Sequence, residues 1–343
     1  MNSAVNTQMI VLAREARGLN QNDLAEKINM SPTNLSKIER GDVSVSDELL
    51  ESIADITSFP KHFFSQKGSV VPGNLSYRRR QTVAQRLLSP IHAQVNIIKR
   101  HVEFLTASLS IPTPSLPIME VTEEQTPQDI AKMLRGKWRM GPGPVENLTK
   151  VVEENGIAVM QFDFGTPRVD TKSVLTDERL PIIFLNSEHT GDRLRFSLAY
   201  ELGHLLMHTF QPIPLERDIA HEANLFAAEL LMPAEDIKAE FDRSISIPLL
   251  GELKRKWKVS MISLLYRADD LGAITPNQKR YLLQQFNQLQ IRRREPVELD
   301  VAAEEPRLIK QWLADFRSRT KLGIVEISAL LCLHVDEFME LYF

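Results

Sequence analysis

The chain has 343 residues, of which 43% are hydrophobic and 25% charged, which is ordinary for a globular protein and long enough for two or three domains. It contains no run of the roughly 20 apolar residues that a membrane-spanning helix needs, and its single cysteine, Cys332, excludes an internal disulfide. The net charge of -4 argues against a protein that coats nucleic acid with its whole surface. Because the first residues also lack the pattern of a secretion signal, we expect a cytoplasmic protein with no membrane partner.

The first 60 residues predict a bundle of four short helices. Apolar residues recur at helical spacing in four segments, which are residues 7–17, 18–28, 33–39 and 46–57. Ser31 and Pro32 are a strong start signal for the third helix, since serine caps helices and proline is tolerated in the first turn.

The stretch from Gln21 to Gly41 reads Gln-x-x-Leu-Ala-x-x-Ile-x-Met-Ser-x-x-x-Leu-Ser-Lys-Ile-Glu-Arg-Gly. It resembles the Cro/repressor-type (XRE) helix-turn-helix domains, whose second helix enters the major groove of double-stranded DNA. The resemblance implies an operator-binding transcriptional regulator. Its base-reading residues would be Thr33, Asn34 and Lys37, with Gln21 and Ser31 as phosphate or supporting contacts. The alternative is a protein-interaction module that has lost DNA binding.

Charge is distributed unevenly between this bundle and the segment that follows it. Residues 1–60 hold five Lys/Arg and nine Asp/Glu, a balance of -4, which is poor for neutralising phosphates. Residues 61–110 hold eight Lys/Arg, including Arg78, Arg79 and Arg80, and one Glu, a balance of +7. We therefore expect this basic linker to supply part of the electrostatic attraction to DNA.

An amphipathic helix or helix pair is predicted over residues 82–109. Its apolar stripe consists of Val83, Leu87, Leu88, Val95, Ile97, Ile98, Val102 and Leu105. Such a stripe could form a homodimer or could dock on the rest of its own chain, and the sequence leaves both open. The Pro-rich residues 111–117 mark the next boundary.

Residues 127–185 predict a small α+β unit. Helices are expected over 128–138 and 145–154, and strands over 157–162 and 180–185. The two strands would form a small sheet packed against the helix that follows.

That helix carries the most informative side chains. Tyr200, His204 and His208 recur every four residues and share one face, with Glu201 on a neighbouring stripe. Zinc proteases use His-Glu-x-x-His, in which the histidines bind the metal and the glutamate acts as general base. Here Tyr200 stands at the position of the first histidine.

Two stretches carry a second resemblance: Phe-Ser-Leu-Ala-Tyr-Glu-Leu-Gly-His-Leu-Leu-Met-His and, further on, Glu-Ala-Asn-Leu-Phe-Ala-Ala-Glu-Leu-Leu-Met-Pro. They are similar to the ImmA/IrrE-type metallopeptidases, which have a zincin-like fold. The resemblance implies His204 and Glu222 as zinc ligands and Glu201 as catalytic base. Tyr200 leaves the usual set of three protein ligands one short.

Three interpretations of this site stay open. The domain is a pseudo-protease whose cleft binds a peptide, ligand or partner protein; or zinc is kept by a rearranged shell that includes His208; or Tyr200 binds zinc weakly and slow peptidase activity persists. We expect zinc to be weakly bound or absent and the peptidase domain to be degenerate. The rival is an active zinc metallo-endopeptidase that cleaves a repressor.

After residue 233 the chain is predicted to be helical throughout. The full division is a helix-turn-helix domain (1–66), a basic helical linker (67–118), a metallopeptidase-like domain (119–245) and a helical C-terminal extension (246–343). The expected fold class is mainly α with a small α+β domain. A further basic run lies in the extension at residues 292–294, where a solvated face is the simpler interpretation.

Overall fold

The computed structural model describes residues 5–67, 78–79, 83–210, 213–214 and 216–343. Within these ranges the chain is mainly helical, with one small sheet, so the predicted fold class is confirmed. The helices are α1 (Thr7–Ala16), α2 (Gln21–Lys27), α3 (Pro32–Glu39), α4 (Asp47–Thr57), α5 (Gln85–Leu109), α6 (Pro127–Lys137), α7 (Leu148–Glu154), α8 (Gly191–Met207), α9 (Ile219–Leu231), α10 (Ala234–Ile237), α11 (Ile247–Trp257), α12 (Met261–Asp270), α13 (Pro276–Gln288), α14 (Leu308–Thr320), α15 (Ile324–Leu330) and α16 (Val335–Tyr342). The strands are β1 (Arg78–Arg79), β2 (Ala158–Phe162), β3 (Val169–Leu175) and β4 (Pro181–Asn186).

The four N-terminal helices begin at their capping residues. The side chains of Asn6, Asn20, Ser31 and Ser46 each accept a hydrogen bond from a backbone N–H in the first turn of α1, α2, α3 and α4 respectively. Such caps satisfy N–H groups that have no partner inside the helix. All four predicted helices of the bundle are present.

The sheet has the strand order β1-β3-β4-β2. β2 and β4 run parallel, and β3 is antiparallel to both β1 and β4. The sequence predicts β2 and β4, which are nearly all apolar, but not β3 or β1.

The sequence does not predict β3, because the charged residues in Val-Asp-Thr-Lys-Ser-Val-Leu are typical of a surface loop. Asp170 and Lys172 are nevertheless buried. The Asp170 carboxylate forms an ion pair with the guanidinium of Arg193, in the first turn of α8, and lies 3.2 Å from Nε2 of His189. A paired partner on a neighbouring element is what allows a buried charge.

Both faces of the sheet are buried, and each belongs to a different hydrophobic core. Ile183 and Leu185 of β4 pack with α6, α8, α9 and the helices α11 to α13. Ile182 and Phe184, which point to the opposite face because strand side chains alternate, pack with α1 to α5 and α14 to α16. One face of the sheet therefore belongs to the core that contains α8 and α9, and the other to the core that α14 and α5 share with the N-terminal bundle.

The linker helix α5 docks on its own chain. Every residue of the predicted stripe is buried except Leu87, which is partly buried, and α5 packs against α1 and α14. Of the two alternatives for this stripe, docking is the one observed. Two linker cations are also used internally: Lys99 pairs with Glu103 and Asp177, and Arg100 donates to the Lys67 carbonyl at 2.7 Å.

No helix in the described part of the chain, α5 included, is long and apolar enough to cross a membrane.

The C-terminal helices contribute to both hydrophobic cores. Trp257, Leu264 and Phe286 of α11 to α13 belong to the core of α8 and α9, whereas Trp312 and Tyr342 of α14 and α16 belong to the core of α1 to α5. The predicted unit 246–343 is thus divided between the two cores. Sequence periodicity identifies these helices but contains no information about which core each one joins.

Two carboxylates hold the segment between α13 and α14 against the rest of the chain. Glu304 forms an ion pair with the buried Arg195 of α8 and accepts from the Thr149 backbone N–H at 2.7 Å. Glu153 of α7 accepts from the backbone N–H groups of Arg307 and Leu308 at the start of α14. These contacts satisfy helix-start N–H groups and a buried arginine that would otherwise be costly.

A buried histidine joins α5 to α16. Nδ1 of His101 lies 2.7 Å from the Tyr342 hydroxyl, and both side chains are almost fully buried. Burial lowers the pKa of His101 to about 4 and raises that of Tyr342, so the phenol keeps its proton and donates to a neutral imidazole.

This pKa gives a testable pH dependence of stability. Between about pH 6.5 and pH 4 the unfolded chain protonates His101 and the folded chain does not, so stability present above pH 6.5 is lost as the pH falls, by about 3 kcal/mol in total. Urea unfolding at pH 7 and pH 4.5 would measure it. His101→Gln should flatten this dependence, while the same change at the exposed His334 should leave it intact; equal slopes in the two variants would contradict the assignment.

Candidate functional site

The predicted base-reading residues share one exposed surface. Thr33, Asn34 and Lys37 lie on the outer face of α3 and are all exposed, while Leu35 and Ile38 on the inner face are buried in the bundle. α2 and α3 pack as the pair of a helix-turn-helix. The start of α3 is therefore available to a DNA groove.

The two predicted supporting residues make contacts inside the protein: Ser31 caps α3, and Gln21 links α2 to α3. Ser31 Oγ accepts from the backbone N–H of Asn34 at 3.3 Å, and Gln21 Nε2 donates to Glu39 Oε2 at 2.8 Å. Glu39 also accepts from Arg14 Nε at 2.7 Å. Gln21 thus orients α3 from within the protein.

The C-terminal helices contact the bundle away from α3. Arg17 donates to both carboxylate oxygens of Glu337 in α16 at 2.9 Å, and its guanidinium lies 4.3 Å from the centroid of the Phe59 ring. Because the start of α3 stays exposed while this contact is made, the two features are compatible.

Arg78, Arg79 and Arg80 stand at the edge of the described structure. The backbone of Arg78 and Arg79 forms β1, in register with Thr171 and Val169 of β3. Arg80 lies outside the described residues. The linker therefore contributes a strand to the sheet in addition to the helix that the sequence predicts.

The second candidate site lies between α8 and α9, which pack closely because of a glycine. A Cβ built on Gly203 would lie 2.9 Å from Cδ1 of Phe226 in α9, closer than such atoms approach in proteins. Gly203 thus sets the distance between the helix with Tyr200 and His204 and the helix with Glu222.

Five side chains form a continuous series here. The Tyr200 ring packs edge-on against His204, with centroids 4.6 Å apart. Nδ1 of His204 lies 2.8 Å from Nδ1 of His208, and Nε2 of His208 lies 2.9 Å from Glu222 Oε2. Arg217, in the loop before α9, binds Glu222 through two nitrogens, one of them 2.9 Å from Oε1.

The protonation states follow from the environment. Burial lowers the pKa of His208, and the hydrogen-bonded Arg217 guanidinium lowers that of Glu222. A neutral His208 then donates from Nε2 to the Glu222 carboxylate and accepts at Nδ1 from the Nδ1–H of His204. The series is a directed chain of hydrogen bonds that ends on an Arg–Glu ion pair.

This arrangement does not fit a zinc ion. Two nitrogen ligands of a tetrahedral zinc, each about 2.0–2.1 Å from the metal, lie about 3.3 Å apart and point at one centre. The nitrogens of His204 and His208 bond each other instead, both nitrogens of His208 are engaged, and Arg217 supplies the positive charge beside Glu222. Among the described residues no group of three or more His, Cys, Asp or Glu is placed to hold a metal.

Glu201, the predicted catalytic base, is buried against the sheet. Its Oε2 accepts from Ser173 Oγ of β3 at 2.7 Å. The neighbouring Lys172 is also buried, and burial lowers its pKa to about 8, partly opposed by the charge of Glu201. Sequence reasoning missed Ser173 and Arg217, since neither falls at a ligand spacing from the motif.

The fold and the two sites define a protein with a helix-turn-helix domain joined to a peptidase-like α+β domain. Comparison with family models agrees: the family described as Helix-turn-helix matches residues 10–59, and the IrrE N-terminal-like domain matches residues 152–269. The chain therefore contains a DNA-binding helix-turn-helix of the XRE type and an ImmA/IrrE-type peptidase domain. No curated protein matches the chain.

The packing at Gly203 generates a prediction. Gly203→Ala should destabilise the protein by about 1–3 kcal/mol, because the new methyl group collides with the Phe226 ring in a filled core. Gly136→Ala in α6 is the matched control: its Cβ meets nothing within 4 Å, and alanine in a helix should be neutral or stabilising. Thermal unfolding of both variants measures the difference, and equal melting temperatures would contradict the contact.

Proposed function

We propose that this protein is a transcriptional regulator that binds an operator in double-stranded DNA, and that its peptidase-like domain has lost the zinc chemistry and serves for sensing or for binding a partner protein or peptide. The observation that carries the second part is the ion pair of Arg217 with Glu222, combined with the bond between His204 and His208. The resemblance implies that Glu222 and His204 bind zinc. In this structure Glu222 pairs with the Arg217 guanidinium, and His204 bonds to the His208 imidazole.

The exposed start of α3 supports the DNA-binding part. Its polar side chains face outward, and direct readout of bases in the major groove relies on polar side chains at the beginning of such a helix. A net charge of -4 in residues 1–60 makes the bundle a weak phosphate binder on its own. The adjoining basic linker is the natural complement, and we place its contacts at Arg78, Arg79 and Arg80.

The Tyr200 ring supports the loss of zinc chemistry. It is buried against His204 at the position where the resemblance expects an imidazole, and a protonated phenol is a poor zinc ligand. The buried acid Glu201 accepts a hydrogen bond from Ser173, which keeps it in the wall of the site. An active endopeptidase that cleaves a repressor is the rival, and metal content separates the two.

Asn34 tests base readout. Asn34→Ala should weaken binding to the preferred operator by about 1–3 kcal/mol and binding to random DNA much less, because amide contacts to base edges discriminate whereas phosphate contacts do not. Fluorescence anisotropy with both DNAs measures this. A loss of the same size on both would reassign Asn34 to a backbone contact.

The arginine run tests the role of the linker. Changing Arg78, Arg79 and Arg80 together to alanine in the full chain should flatten the slope of log affinity against log salt by up to about 2.7, since each released phosphate contact is worth about 0.9. A control with Lys132, Lys137 and Lys150 changed to alanine removes the same charge from exposed positions on α6 and α7. If both triple variants shift the slope equally, only net charge matters and the proposed contact is wrong.

Rebuilding the metal site tests the loss of zinc chemistry. The natural chain should purify with little zinc, while Tyr200→His combined with Arg217→Ala should bind about one ion per chain, because it supplies the third ligand and releases Glu222. Tyr200→His alone should bind more weakly, since Arg217 still competes for Glu222. Elemental analysis decides the matter: stoichiometric zinc in the natural chain, lost in Glu222→Gln and accompanied by proteolysis that needs Glu201, would establish the rival.

A further inference from the structure

A cavity of about 640 Å³ lies beside α9, on a face of the helix turned by about 100° from the one that carries Glu222. We name it the α9 cavity. Its walls are the outer face of α9, the first turns of α8, one face of α12 and residues 292–295. His221, Leu225 and Ala228 line it at helical spacing, whereas Glu222 points to His208. The lining includes none of Tyr200, His204, His208 and Glu222, so the α9 cavity is separate from the candidate site between α8 and α9, and its volume suits a small ligand.

The middle of the cavity is apolar. Phe196 of α8, Leu225 and Met232 of the α9 segment and Ile262 of α12 line it. Tyr266 of α12 adds an aromatic ring that is 42% exposed. Apolar side chains around a concave space favour a ligand with an apolar body.

The inner end has an excess of acceptors. The buried ammonium of Lys254 lies 3.3 Å from Asp192 Oδ2 and 2.6 Å from Glu295 Oε2, so one cation faces two carboxylates. Oδ1 of Asp192 is buried and has no hydrogen-bond partner in the described part of the chain. Burying an acceptor without a hydrogen-bond donor costs free energy, so a ligand that brings a donor to this position would be stabilised.

The other inner cations form ion pairs of their own. Arg193 pairs with Asp170 through one terminal nitrogen, while its buried Nε has no hydrogen-bond partner in the described part of the chain, and Arg267 pairs with the buried Glu229 of α9. Asp270, at the last position of α12, adds a further carboxylate to the lining. The inner end of the cavity therefore suits a positively charged group or a strong hydrogen-bond donor.

The rim of the cavity is basic. Arg292, Arg293 and Arg294 line it and are exposed. Arg294 forms an ion pair with Asp300, and the guanidinium of Arg292 makes only a long contact, 3.4 Å, with Asn287 Oδ1. Arg292 and Arg293 are therefore placed to bind an anionic group through the planar geometry that arginine offers to a carboxylate.

We propose that the α9 cavity binds a zwitterionic ligand with an apolar body, namely a short peptide whose free amino group meets Asp192 and whose C-terminal carboxylate meets Arg292 and Arg293. Its apolar side chain would lie against Phe196, Leu225 and Met232. A fatty acid satisfies the rim and the apolar wall but leaves the Asp192 acceptor unpaired. Inorganic phosphate satisfies the rim alone. This binding depends neither on zinc nor on the DNA-binding function.

Calorimetry on the full chain tests this with the tripeptide Ala-Phe-Ala and two derivatives, the N-acetyl form and the C-terminal amide. The free peptide should bind one per chain, and each derivative about tenfold or more weakly, since a hydrogen bond between charged groups is lost. Asp192→Asn should remove the preference over the N-acetyl form only. Arg292→Ala with Arg293→Ala should remove the preference over the amide only.

Arg255→Ala, an exposed arginine of α11 outside the cavity lining, is the matched control and should bind like the natural chain. If Asp192→Asn does not fold, the comparison of the free and N-acetyl peptides on the natural chain still tests the amino-group contact, and the exposed arginine variants test the carboxylate contact. No binding of the free peptide, equal binding of all three peptides, or tighter binding of octanoate than of the peptide would each overturn the proposal.

Discussion

The sheet buried on both faces is the constraint on which the rest of this structure depends. Its strands present alternating apolar side chains to two cores. One core contains the peptidase-like helices, and the other contains the DNA-binding bundle together with α5 and α14, so separating either core from the sheet would expose apolar surface. Burial on two faces also explains why β2 and β4 are almost entirely apolar. The helix-turn-helix in this chain is part of a common framework rather than a separate module on a flexible tether.

That framework has a consequence for how the two sites relate. The start of α3 faces solvent from one core, whereas Glu201 reaches the sheet from the other through Ser173 of β3. β3 also carries Asp170, which pairs with the first turn of α8 beside the α9 cavity. A ligand that shifts α8 would therefore displace β3. The opposite face of β3 packs in the core that contains the DNA-binding bundle. The physical route is direct packing within one sheet.

Sequence alone predicts the parts of this protein that depend on local signals. The cap at Ser31, the apolar strands β2 and β4 and the spacing of Tyr200 and His204 are all local signals, and the structure has these elements where the sequence places them. The failures are non-local. β3 reads as polar because its charges are paired only in three dimensions, with Arg193 and His189.

The candidate peptidase site shows the same division. The helical spacing brings His204 and His208 onto one face, but only the fold brings Arg217 onto Glu222 and Ser173 onto Glu201. These two contacts change the chemistry of the site, and neither has a sequence signature. Likewise the separation of α11 to α13 from α14 to α16 depends on which apolar surface is left uncovered, which periodicity does not encode.

Native-state hydrogen exchange monitored by mass spectrometry tests the shared framework most directly. If the bundle and the peptidase-like helices are both built on one sheet, amides of α1, β4 and α8 should exchange through openings of similar free energy and should lose protection together as urea is added. Loss of protection in α1 to α4 at much lower urea than in β4 and α8 would contradict the account, because it would show that the DNA-binding bundle unfolds on its own.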